Sequence, residues 1–157
     1  MNTIFKTTIS LLLFSLISCE KTELTANNQT ISIKNGTVIG NINLSAYRHE
    51  VALSETSLNY QIQDREDKVL KECSTSESAS DWNQISAKID FEKFKSLPAF
   101  NGTSGPALGD VGYEYIEIKQ DSDSYRILFP TGSDVKEITD LLKMVRAKRA
   151  FFEQSCK

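Results

Sequence analysis

Histidine occurs once in this 157-residue chain, at His49. A single imidazole excludes multi-histidine zinc sites and leaves a Ser-His-Asp triad only one base to use. His49 stands beside Glu50 in a stretch that reads as a strand, so it is taken as an exposed polar position rather than a catalytic base. Cysteines number three, at 19, 73 and 156, and none forms a Cys-x-x-Cys pair, which removes the common zinc and dithiol motifs. Basic residues do not exceed acidic ones, 18 against 21, for a formal charge of −3. Without a concentrated basic face, no nucleic-acid partner is expected. Nor is any apolar run long enough to cross a bilayer as a helix, which takes about 20 residues.

The longest apolar run, Ile9–Ile17, contains only two serines, follows the single charge of Lys6 and ends at small Ser18. A charged start, a short apolar middle and a small residue before the cut make the layout of a secretory signal. Its end, Leu16-Ile17-Ser18-Cys19, resembles the lipobox of bacterial lipoprotein precursors. That resemblance implies a diacylglyceryl thioether on Cys19, cleavage before it and acylation of the new amino terminus. Two or three acyl chains at about 0.8 kcal/mol per buried methylene hold a protein on a membrane, where one would not. The expected address is the bacterial cell envelope, the outer membrane favoured over the inner, with the membrane as first partner through the lipid anchor. Loss of Lys6 with the leader takes the formal charge to −4. With Cys19 carrying lipid, Cys73 and Cys156 remain, and two thiols in an oxidising compartment are expected to pair. The loop they close would contribute about 4.5 kcal/mol in the chain-entropy account.

The chain divides into a leader (1–18), a polar tether (19–29) and one globular body (30–157). Within the body, Asn35-Gly36 between two apolar runs predicts a first hairpin, because a type I′ turn needs positive φ at both central residues. Arg48–Leu53 and Leu58–Gln63 read as strands, with Leu58, Tyr60 and Ile62 on one face. Lys68–Cys73 reads equally as a strand or a helical turn, and Ser74–Asp81 as a surface loop. Ile85, Ala87 and Ile89 alternate and predict a strand, after which Asp90 caps one or two helical turns carrying Phe91, Phe94 and Leu97. Residues 100–112 hold four of the seven glycines and read as the longest loop. Tyr113–Lys119 and Tyr125–Phe129 form a second hairpin. Asp134 and Glu137 have capping-box spacing, and Ile138, Leu141, Leu142, Val145 and Phe152 trace a helical stripe of about 20 residues. Strands first and a long amphipathic helix last predict an α+β fold, an antiparallel sheet packed on that helix.

Chemistry-bearing patterns are thin. Asp121-Ser122-Asp123 begins like a calcium loop but lacks its glycine and its twelfth-position acid, so it reads as a turn. The glycines of 100–112 match no phosphate-binding pattern, and Glu114 and Glu117 fall on opposite faces of one strand, unlike a glycosidase pair. Lys143, Arg146, Lys148 and Arg149 crowd the helix's second half and complement its dipole. Asn-x-Ser/Thr triplets at Asn28, Asn35, Asn43 and Asn101 read as incidental beside a bacterial leader. Tyr113, Tyr115 and Tyr125 are the candidate recognition surface if the face they share is open; turned to the helix, they are core. No catalytic residues, metal or cofactor are therefore assigned. The expected function is a non-enzymatic binding module with a protein or other macromolecular partner, inhibitor- or immunity-like in one version. A small envelope hydrolase with dispersed residues and a structural part of an envelope complex are the alternatives.

Overall fold

Cross-strand partners share a face of a sheet, so the pairing register decides which side chains meet the helices. The computed structural model describes residues 29–39, 45–102 and 112–156. The leader, Cys19, Gly40 and residues 103–111 of the glycine-rich stretch lie outside the described residues. Six strands, β1 (Ile31–Val38), β2 (Arg48–Ser54), β3 (Ser57–Gln63), β4 (Val69–Ser76), β5 (Tyr113–Gln120) and β6 (Asp123–Pro130), form one antiparallel sheet in the order β4-β3-β2-β1-β5-β6. Helices α1 (Ala79–Ser86) and α2 (Phe91–Lys95) precede β5, and α3 (Thr139–Ser155) closes the chain. The fold is α+β.

Register puts Ile33 beside Leu53 and Ile118, and Asn35 beside Val51 and Ile116. Tyr60 extends the second row beyond Val51, Cys73 beyond Tyr60, and Ile127 beyond Ile116. This face packs on Trp82 and Ile85 of α1, Phe91 and Phe94 of α2, and Leu141, Leu142, Val145 and Phe152 of α3, all in one core. The opposite face carries Lys34, Arg48, Glu50, Gln61, Glu117 and Arg126, mostly in pairs: Arg126 with Glu117 at 2.7 Å and Lys34 with Glu50 at 3.5 Å. Truncating a buried aliphatic of this core to alanine typically costs about 2–5 kcal/mol. The stripe read from α3 is the one that is buried, Ile138 lying at its margin.

Asn35-Gly36 is not a turn. β1 runs through it, because both residues are used by distant parts of the chain. The Asn35 amide donates to Glu114 Oε1 (3.0 Å) and to the Tyr115 carbonyl (2.9 Å), and its oxygen accepts from Arg149 (2.6 Å). A Cβ on Gly36 would stand 2.5–2.7 Å from the Tyr115 ring, so glycine is required for room rather than for positive φ. Its side chain being wholly buried, Asn35 is also no modification acceptor.

Three further expectations change. The 85–89 alternation is not a strand: Trp82 and Ile85, one helical turn apart, are what α1 buries, and the Ser78 hydroxyl caps it by accepting from the Asp81 amide. Consequently the expected loop over Ser74–Asp81 splits between the end of β4 and the start of α1. Asp134 does not cap the last helix either. Its carboxylate pairs with Arg146 (3.3 Å), and a 3-10 turn over Lys136–Ile138 leads into a 17-residue α3. Asp90 does cap α2, accepting from the Lys93 amide at 3.0 Å. The 68–73 ambiguity resolves to strand.

Candidate interaction edge

β4 forms the outer edge of the sheet on one side, and its residues are the least buried of any strand. It pairs with β3 from Ser57↔Ser76 to Gln63↔Val69, with a bulge at Leu70. Cys73, on the helix face opposite Tyr60, is bonded to Cys156 at the end of α3, Cα to Cα 6.1 Å, across 83 positions of sequence. The disulfide thus fastens the last helical turn to the edge strand. At the other side of the sheet, β6 is covered at Leu128, whose amide donates to the Ala99 carbonyl and whose carbonyl accepts from the Asn101 amide, both at 2.8 Å.

The exposed large apolar side chains among the described residues are Val69 (42%), Leu70 (47%) and Phe151 (59%). All three belong to β4 or to the helix end tied to it. Val69 and Leu70 lie at the start of β4, and Phe151 lies beside Thr75 and Ser76 near its end. Between β4 and α3 lies a groove of about 380 Å³ lined by Leu58, Thr75, Glu77, Lys148, Phe151 and Phe152. At its rim Lys148 is shared by two carboxylates, Glu77 at 2.9 Å and Asp81 at 2.7 Å. Burial alone would lower the Lys148 ammonium, but hydrogen bonds to Asp81 and Glu77 outweigh it and hold it above the ordinary lysine value. The Glu77 side chain is 1% exposed, and its second oxygen, Oε2, is buried without a hydrogen-bond partner. A larger groove of about 650 Å³ at the sheet's end, lined by Thr30, Ser54, Thr56, Trp82 and Asn83, holds neither feature.

The three tyrosines do not form one platform. Two residues, Asp121 and Ser122, join β5 to β6, so Ile118 lies opposite Tyr125. Tyr125 therefore shares the helix face, its ring edge-on to Phe94 and its hydroxyl donating to the Leu97 carbonyl at 2.8 Å. Tyr113 and Tyr115 point to the opposite face. There Tyr115 is 2% exposed, crosses Gly36 to donate its hydroxyl to Glu50, and is covered by the Arg126 guanidinium 4.5 Å from its ring. Burial, then the bond to Glu50, pushes the Tyr115 phenol far above its ordinary value. Tyr113 lies edge-on to Phe100.

His49 is half-buried rather than exposed, its Nδ1 2.8 Å from the Tyr60 hydroxyl and 4.0 Å from Glu153. The Asp121 carboxylate is engaged by the Thr30 amide at 3.0 Å, and among the described residues no group of three or more metal-ligating side chains assembles. Of the helix's cations, Arg146 and Arg149 converge on buried Glu114 (2.7 and 3.1 Å), so they anchor α3 to the sheet rather than merely oppose its dipole. Glu117 does lie on the other face. No sequence signal marked Glu114, Asn35 and Arg149 as a buried set, since three polar residues far apart in the chain have no common period. The chain matches no family model and no characterised protein.

Proposed function

We propose that this protein is a bacterial lipoprotein of the cell envelope, anchored through Cys19, whose body is a non-enzymatic module that binds a protein partner. An inhibitor- or immunity-type role is one form such binding takes. The leader and the Leu16-Ile17-Ser18-Cys19 resemblance support the anchor. The observation that carries the binding role is the open outer edge of β4, with exposed Val69 and Leu70 at its start and exposed Phe151 beside Thr75 and Ser76 near its end. Edge strands of this length are normally blunted or occupied, because unpaired backbone groups template association. Two measurements test the reading. Labelled palmitate should enter the processed chain and vanish in Cys19→Ala; an unlabelled product starting at another residue would remove the anchor. A photoreactive side chain at Leu70 or Phe151 should give one stoichiometric protein adduct in the intact envelope, while one at exposed Lys119 gives none. Adducts of equal yield at all three positions would remove the binding edge.

A further inference from the structure

We infer that β4 accepts an extended segment of the partner protein as an added strand, and that the groove beside it takes a lysine or arginine side chain from that segment. This rests on the binding role proposed above. Strand addition uses the outer backbone groups of an edge strand for affinity and side-chain pockets for specificity. The bulge at Leu70 leaves Lys71–Ser76 as the regular stretch for pairing, and its exposed Ser74, Thr75 and Ser76 are small enough to admit a neighbour. A residue placed opposite Thr75 would have its Cβ about 5 Å away and on the same face. Thr75 pairs with Leu58, a core residue, so that face is the helix side, where the groove lies.

Groove chemistry selects the occupant. Leu58, Phe151 and Phe152 provide apolar wall for a long methylene stem, and an aromatic ring attracts a cation held over it. Two carboxylates, Glu77 and Asp81, share the single ammonium of Lys148, leaving one negative charge in excess. Glu77 Oε2 is itself buried without a hydrogen-bond partner, and among the described residues Lys148 is the one cation paired with that carboxylate. A lysine or arginine head supplies the balancing charge. A glutamate would be repelled, and a leucine would fill the wall while leaving the charge unbalanced.

The test is a selection of random ten-residue segments displayed against the full processed chain in detergent micelles. Recovered segments should share one arginine or lysine with apolar residues two positions to either side, and should shift backbone amide resonances of residues 69–76. Affinity should fall at least tenfold in Phe151→Ser, an exposed change that spares the core, and likewise in Glu77→Gln, each variant first checked for an unchanged circular dichroism spectrum. Segments that bind β4 but lack a basic residue would overturn this inference and leave the binding edge standing. Failure to recover any segment, or shifts confined to other strands, would overturn both. Protection of the β4 amides in the absence of peptide, with sedimentation at twice the monomer mass, would assign the edge to a second copy and equally end the proposal.

Discussion

Replacing Glu114 by glutamine should destabilise the body by about 3 kcal/mol, the lower end of what removing one partner from a buried ion pair costs. Glu114 is 1% exposed. Its Oε1 accepts from Asn35, Arg146 and Arg149 at 3.0–3.1 Å, and Oε2 accepts from Arg146 at 2.7 Å. Glutamine keeps the shape but turns an amide nitrogen toward donors, and leaves Arg149, 9% exposed, without its nearest carboxylate. Arg146 retains Asp134 and the Ser133 carbonyl, which is why the lower end applies. For a body near 130 residues this corresponds to a fall in Tm of about 10–15 °C. The pH dependence is diagnostic. Burial by itself raises the Glu114 carboxyl, but hydrogen bonds from Arg146 and Asn35 and the nearby charges of Arg149 and Arg146 outweigh it, and the net shift is downward. A carboxyl depressed in the folded state contributes stability that is present above its unfolded value, about 4.3, and is lost as pH falls through the folded one. Urea melts followed by circular dichroism should therefore show the full gap between wild type and variant at pH 7, narrowing on acidification below about 4. A gap under about 1 kcal/mol at pH 7, or one that widens in acid, would refute the reasoning, since either means the carboxylate does not offset the two guanidiniums. Adding Arg149→Met to the variant should restore part of the loss, because no buried guanidinium then lacks a carboxylate.

Other outcomes follow from the same packing. Gly36→Val should cost about 1–3 kcal/mol, the range for overpacking, since its Cβ meets the Tyr115 ring within 2.7 Å; a neutral result in a thermal melt would mean the ring does not rest there. Cys73→Ser should lower stability by up to about 4.5 kcal/mol and release one thiol at Cys156, whereas two free thiols in the unreduced wild type would exclude the bond. Burial, with the Glu153 charge adding and Arg149 opposing, raises the Tyr60 phenol from 10.0 to about 12. Because that value is raised on folding, the stability it contributes is full below 10.0 and disappears as pH climbs toward 12. Absorbance at 295 nm should accordingly show the Tyr60 and Tyr115 phenols still un-ionised at pH 11; their ionisation at that pH in the folded protein would contradict their burial.

What the sequence could reveal was whatever repeats locally. Leu58, Tyr60 and Ile62 alternate because β3 has one dry face, and the α3 stripe repeats every three or four residues because one side of that helix is dry; neither needs knowledge of the partner. Asn35-Gly36 failed for the opposite reason. Its local signal is a turn, but Glu114 and Arg149, 79 and 114 positions away, need that amide in the core, and tertiary demand overrode turn chemistry. The tyrosines failed on register. A turn read as Gln120–Ser124 leaves the pairing of β5 and β6 open by a residue, and one residue moves every side chain to the other face. The observed two-residue turn, with Asp121 at φ 55°, separates Tyr125 from Tyr113 and Tyr115. Legibility of the site follows the same division. Val69 and Leu70 are plain in the sequence as apolar residues, yet their meaning depends on β4 having no outer neighbour among the described residues, a property of strand order rather than of any segment. Phe152, the last member of the α3 stripe, takes the core position beside Tyr60, rings stacked at 5.7 Å, and the Cys73–Cys156 bond ties the helix end just beyond it to β4. Phe151 is then turned outward beside the groove, so the helix end that the cross-link secures also holds an aromatic side chain on the edge where a partner strand would lie.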